Sequence, residues 1–156
     1  VDIAEAKEYV ITNCAPRDNL KDNYITEIEV GKAVRASSSF PAFFCPCEFK
    51  NHIFMDGGGL DNTPVLPLKQ ICDKKIIAVN FESDSVGEDC DVMDVIMKSL
   101  DIMENKISEK SFEQSDLILT IPTDGAGLFD IDKLDKCYQF GYNTVMRNLK
   151  KFRDLL

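Results

Sequence analysis

Asp56 is the carboxylate whose surroundings raise a question of chemistry. It ends the apolar run Ile53-Phe54-Met55, and three of the chain's eight glycines, Gly57, Gly58 and Gly59, follow it directly. Glycines beside a carboxylate remove the Cβ atoms that would hold a substrate or a neighbouring helix away. The stretch reads equally as a bare turn, with Asn62 two residues ahead of Pro64, and the local pattern does not choose between the two. A phosphate cradle is excluded. Neither G-x-x-x-x-G-K-[ST] nor G-x-G-x-x-G occurs, and Asp56 would repel the anion.

Other reactive side chains are few. The single histidine, His52, follows Lys50 and Asn51 and reads as an exposed hairpin residue, so a Ser–His–Asp triad has no evident base. Ser37, Ser38 and Ser39 sit just before Pro41, where small polar residues satisfy the free carbonyls of a helix end. The six cysteines (14, 45, 47, 72, 90 and 137) include no C-x-x-C, and "CPC" at 45–47 has the wrong spacing for a zinc knuckle. Reduced structural thiols and no metal site are expected. The acidic stretch 82–94 lacks the calcium-loop pattern and reads as a solvated loop.

These residues need a frame. With 156 residues and 44% hydrophobic content, a single domain with its own core is expected over 1–156. A net charge of −9 argues against nucleic acid as a partner and against anionic membranes. No apolar run is long enough to span a bilayer. A short strand is expected at 8–12, a polar connection at 14–23, and a helix at 26–38 opened by a Thr26/Glu29 capping box. Two strands joined near Lys50–His52 fill 43–56, and a short helix follows at 64–72.

The unbroken apolar run at 74–81 suggests a strand buried on both faces, as in a parallel sheet. A helix over 92–107 aligns Val92, Val95, Ile96, Ser99, Leu100, Met103 and Ile107 on one core-facing stripe. A strand at 115–122 and a long amphipathic helix at 130–152 complete an α/β alternation. Phe40, Phe43 and Phe44 are expected to fill the core under the sheet.

Five pieces occur in one order: "AVRASSSFPAFFCP", "FMDGGGLDNTPV", "KKIIAVNF", "SDLILTIP" and "FGYNTV". The set resembles the C-terminal half of patatin-like phospholipases, particularly the small bacterial members. Their AxxASxSxPxxFxP helix end is matched by Ala33 to Pro46, and their DGGxxxNxPV turn by Asp56 to Val65. The resemblance implies a three-layer α/β/α fold with a mostly parallel central sheet, here incomplete. It also implies a cytoplasmic lipid acyl hydrolase that works without a cofactor through a Ser–Asp dyad. Asp56 matches the dyad aspartate, Gly57 and Gly58 complete the motif with Gly59 in the same turn, and Asn62 and Pro64 match structural positions of the turn that follows.

The family's G-x-S-x-G elbow and its glycine-rich oxyanion loop are absent from these 156 residues. The chain is therefore expected to be the aspartate-bearing portion, inactive by itself, with lipid or acyl ester as the substrate of the complete protein. The rival expectation is a non-catalytic remnant or interaction module that keeps the fold. An ordinary aspartate, with a pKa of about 3.9, is a weak base toward a serine hydroxyl, and only fixation and partial desolvation make it competent. An incomplete sheet would expose an edge and an apolar face, so self-association is expected.

Overall fold

The computed structural model describes residues 1–14, 22–82, 91–127 and 130–155. Most of the acidic stretch 82–94, most of the 14–23 connection, and Cys90 lie outside them. The described cysteines, Cys14, Cys45, Cys47, Cys72 and Cys137, are free thiols. Among the described residues no helix is long and apolar enough to cross a membrane.

The class is α/β, and among the described residues the strands form three two-stranded pieces. Strand β1 (Val10–Ile11) pairs parallel with β2 (Tyr24–Ile25). Helix α1 (Val30–Ser37) follows. The expected capping box does not form: Ile25 is held in the β2 ladder opposite Ile11, and the helix begins only after Glu29, whose side chain makes no cap. At the other end the serines behave as expected. The hydroxyl of Ser38 donates to Val34 O at 2.8 Å and that of Ser39 to Arg35 O at 2.7 Å.

Strands β3 (Cys47–Phe49) and β4 (His52–Phe54) form the expected hairpin, antiparallel with Cys47 opposite Phe54. Its turn places Lys50 at φ 53°, a left-handed conformation that a two-residue hairpin loop favours. Residues 1–3 lie along the other side of β4: Ile3 N donates to Ile53 O at 3.0 Å and Met55 N to Val1 O at 2.8 Å. The small core here is Ala36, Cys47 and Phe54, ringed by Tyr9, Ile11, Ile25 and Phe49. Phe54 is 1% exposed, which holds the strand leading to Asp56 firmly in place. Phe43 and Phe44 are not part of this core. Phe44 is 53% exposed and carries the Arg35 guanidinium over its ring, because the helix end at Ser38 turns the chain outward before the hairpin returns it.

Beyond Asp56 come two short helices, α2 (Gly58–Asp61) and α3 (Val65–Ile71). Strand β5 (Ile77–Phe81) runs parallel to β6 (Leu117–Ile121), with Ile77 opposite Leu117. The expectation of burial on both faces of β5 fails. Ala78 is buried, but Ile77, Val79 and Phe81 are exposed. Helix α5 (Leu134–Arg147) packs on β6 and leaves the neighbouring strand uncovered.

Helix α4 (Val92–Gln114) is longer than its apolar stripe and opens on a true capping box between Asp91 and Asp94. The stripe is not its buried face: Val92 is 77% exposed, and Val95, Ile96, Ser99, Met103 and Ile107 are exposed as well. What α4 buries is Ser108 and Ser111, with Glu104 half-buried a turn earlier. It packs there on α2 and α3, and small side chains permit the close approach that the bulky stripe would prevent. The C-terminal amphipathic stretch is interrupted. A 3₁₀ turn at Ile131–Lys133 precedes α5, and α6 (Leu149–Leu155) starts after Asn148, whose amide side chain takes the Thr144 carbonyl at 2.8 Å.

Candidate active site around Asp56

Asp56 lies two residues past the end of β4, half-buried. Its strand is one arm of the antiparallel hairpin, so the carboxylate stands at a hairpin exit and not at the end of a parallel strand. Two hydrogen bonds fix it. Its N–H donates to Ser39 O at 3.0 Å, and its Oδ1 accepts from Gly58 N at 2.9 Å. The first bond joins the end of α1 to the glycine turn, so the segments Ala33–Pro46 and Asp56–Val65 meet through their backbones. The second is a short Asx-type turn that sends the chain straight into α2.

Gly57 precedes that helix as its cap residue, and Gly58 opens it. Gly58 is the glycine the packing demands. A Cβ there would stand 2.8 Å from Oε1 of Glu104, 3.0 Å from its Cδ and 3.3 Å from Oδ1 of Asn62. The open space behind Asp56 is thus occupied by α4 of this same chain. Gly57 has no such neighbour, its nearest atom lying at 3.9 Å, and Gly59 would meet only the mobile end of Met55. Asn62 terminates α2 and Pro64 precedes α3, both exposed.

The Glu104 carboxyl is a like-charged neighbour of Asp56. Burial pushes the Glu104 carboxyl up, and the neighbouring negative charges of Asp56 and Asp101 push it further. Burial also raises Asp61, against hydrogen bonds from the Thr63 backbone and the Ser111 side chain. The Oδ1 of Asp61 is buried with no partner. Beside Gly57 opens a cleft of about 360 Å³ whose wall includes Val10, Ile11, Val34, Phe54 and Met55. That size falls within the range of small-molecule sites, and its walls are mostly apolar.

Of the three serines at the helix end, Ser38 and Ser39 are tied to helix carbonyls, while Ser37 is exposed and lines the cleft. Ser39 is buried, donates to Arg35 O, and receives the Arg35 guanidinium, which also reaches Cys45 O at 2.7 Å.

His52 differs from its expected exposure. Its side chain is 22% exposed, its ring sits 4.6 Å from Tyr9 and 5.3 Å from Phe54, and Nδ1 lies 2.7 Å from Oδ2 of Asp2. A carboxylate only accepts, so Nδ1 carries the proton and donates. Asp2 itself is fully buried, and its Oδ1 accepts from the N–H groups of Ala4 and Glu5. Burial pushes the Asp2 carboxyl up, but the bonds from His52, Glu5 and Ala4 together hold it below the usual range.

Asp2, Glu5 and His52 offer ligand atoms within 4.8 Å of one another. Both Asp2 oxygens are already engaged, and Oε2 of Glu5 takes the Tyr9 hydroxyl at 2.7 Å. The cluster fastens the start of the chain to β4, and with it the strand that delivers Asp56. Neither Asp2 nor Glu104 carries a sequence signal. Each reaches its partner about 50 residues away in the chain, a separation that no local pattern reports.

The site is therefore a carboxylate held at a strand exit by a glycine turn, in an α/β setting, with Met55 and Gly57 on either side of it lining an apolar cleft. Comparison with known families gives the same direction. The patatin-like phospholipase family model matches residues 4–69 of this chain, a stretch that contains α1, the hairpin, Asp56 and the glycine turn. The match supports a patatin-like, lipid acyl hydrolase type for that stretch.

Proposed function

We propose that this chain is the aspartate-bearing, C-terminal portion of a bacterial-type patatin-like serine acyl hydrolase, acting on phospholipid or other carboxylic esters. Asp56 is the base of its Ser–Asp dyad. The serine is supplied from outside these 156 residues, in which no G-x-S-x-G occurs. The observation that carries this reading is the placement of Asp56: backbone-fixed on both sides, half-buried and within the family-matched stretch, with its neighbours Met55 and Gly57 lining an apolar cleft that Asp56 itself does not line.

In the first half of the reaction Asp56 takes the proton of the serine hydroxyl as its oxygen attacks the ester carbonyl. That proton passes to the departing alcohol. Water then attacks the acyl-enzyme, Asp56 takes the water proton, and the serine regains it as the acid leaves. Oxyanion stabilisation, commonly the largest contribution to such a step, comes from the segment that also brings the serine. Gly57, Gly58 and Gly59 shape the turn, Asn62 and Pro64 hold its far end, and the chemistry needs no cofactor.

The experiment is Asp56→Asn in the complete protein, assayed on short-chain and phospholipid esters. Loss of at least about a hundredfold in kcat supports the base role. Unchanged turnover rejects it and favours a non-catalytic module, the reading that the absent elbow supports. We further propose a cytoplasmic protein that self-associates through the uncovered face of β5 and the exposed apolar stripe of α4. Sedimentation showing a monomer over a wide concentration range would contradict the association.

A further inference from the structure

The end of α1 and the hairpin that follows build a second surface, apart from the cleft. Residues 42–46 read Ala-Phe-Phe-Cys-Pro, and all five are exposed. The run is held in shape. Arg35 fastens it from α1, donating to the Ser39 hydroxyl and, at 2.7 Å, to Cys45 O. The N–H groups of Phe43 and Phe44 donate to Phe40 O at 3.3 and 3.0 Å. Ala42 takes φ 69°, a left-handed conformation that a residue with a side chain keeps only where its surroundings impose it. Cations follow the run. The Arg35 guanidinium lies 5.7 Å from the centre of the Phe44 ring, and Lys32 and Lys50 lie 5.7 and 5.3 Å from that of Phe49. Among the described residues none of the three cations forms an ion pair. Glu27 and Glu29 line one open groove with Lys32 and Phe49.

We propose that this surface docks the protein on a zwitterionic phospholipid bilayer, with Phe44 entering the acyl boundary and Arg35 meeting headgroup phosphates. An exposed ring beside a cation suits that boundary, where one end of the pair is apolar and the other wet. The guanidinium keeps N–H groups that the loop does not use, and its planar fork matches a phosphate. Charges of both signs lie along the surface, so Glu27 and Glu29 can face headgroup ammonium groups while the cations face phosphates. A net charge of −9 disfavours an anionic bilayer over a zwitterionic one. The root of the loop is tied to the proposed site, since Ser39 O accepts from Asp56 N at 3.0 Å. Docking there brings the site to the surface that holds its substrate. The inference rests on the lipid ester substrate proposed above, and its test reads binding instead of turnover.

The test is cosedimentation of the complete protein with phosphatidylcholine vesicles. The parent binds, Phe44→Ser lowers the partition coefficient about tenfold, and Phe44→Trp keeps it, with a tryptophan emission that moves to shorter wavelength when vesicles are added. Adding phosphatidylglycerol to the vesicles does not strengthen binding. A parent that binds no vesicles overturns the proposal, and so does binding that rises with phosphatidylglycerol. Equal partition of Phe44→Ser and the parent overturns it as well. In that case a lower urea midpoint for Phe44→Ser assigns the ring to a contact within the complete protein, and a changed sedimentation coefficient assigns it to a second copy. Asp56→Asn binds vesicles as the parent does. Unchanged turnover in that variant therefore removes the base reading alone, and the vesicle measurement still decides the docking surface.

Discussion

Replacing Gly58 by alanine tests the packing behind Asp56 directly, with Gly57→Ala as its control one residue away. In Gly58→Ala the new Cβ lands 2.8 Å from Glu104 Oε1 and 3.3 Å from Asn62 Oδ1. Ordinary contact begins near 3.4 Å, so the Glu104 carboxyl must retreat by roughly 0.6 Å against a helix already packed on α2. Overpacking of this kind costs about 1–3 kcal/mol. The lower end applies here, because the obstacle is the end of a flexible side chain. Alanine in a helix returns up to about 1 kcal/mol over glycine, and less than that in the first position of so short a helix. The clash wins narrowly, and the net loss is about 0.5 kcal/mol.

Gly57→Ala meets nothing nearer than 3.9 Å and is neutral or slightly stabilising. Urea denaturation separates the two: with a slope of about 1–3 kcal/mol/M, the Gly58→Ala midpoint falls by about 0.2–0.5 M. Adding Glu104→Ala to Gly58→Ala removes the obstacle, so the double-mutant cycle shows coupling instead of additivity. Equal midpoints for Gly57→Ala and Gly58→Ala, or an additive cycle, would refute the claim that Glu104 is what makes this glycine necessary.

The Asp2–His52 pair gives a stability prediction with a pH signature. His52→Ala leaves Oδ2 of a fully buried carboxylate without its donor, a loss of about 1–3 kcal/mol readable by denaturation at neutral pH. Because the folded-state Asp2 carboxyl is held low, its contribution is fully present above the unfolded value of about 3.9. It is lost as pH falls through the lower folded value, so wild-type stability declines in that acid window, and the decline begins at higher pH in His52→Ala.

Tyr9, whose hydroxyl donates to Glu5, is pushed up to about 12 by that bond, with burial and the Glu5 charge adding to it. Tyr24 is raised too, by burial and the Glu8 charge, so an ultraviolet pH titration should show two late-ionising tyrosines, of which only Tyr9 reverts toward the ordinary value in Glu5→Gln. Gly125 adopts φ +68° with open space around it, so Gly125→Ala loses about 1–2 kcal/mol to left-handed backbone strain. Gly31→Ala, inside α1 with nothing within 4 Å, gains up to about 1 kcal/mol. Equal thermal midpoints for these two variants would contradict the backbone assignments.

Several features of this protein were determined by the sequence alone, because short-range physics decides them. The hairpin around Lys50, helix α3, the strands β5 and β6, and the serines that close α1 all follow from turn chemistry and apolar runs a few residues long. Asp56 and its glycines stood out for the same reason, since a carboxylate followed by three glycines is a local signal.

The tertiary structure decided what those elements face. Periodicity found the apolar stripe of α4 but not its buried side, because Ser108 and Ser111 are chosen for their small size against α2 and not for hydrophobicity. The apolar run at β5 suggested two covered faces, whereas burial there depends on which helix lies over which strand. His52 looked exposed until Asp2, 50 residues earlier, closed over it. The glycines of the Asp56 turn left open whether the turn is bare or something approaches closely. Only the packing of α4 showed that it is Glu104, because contact between distant segments is fixed by shape and burial over the whole domain.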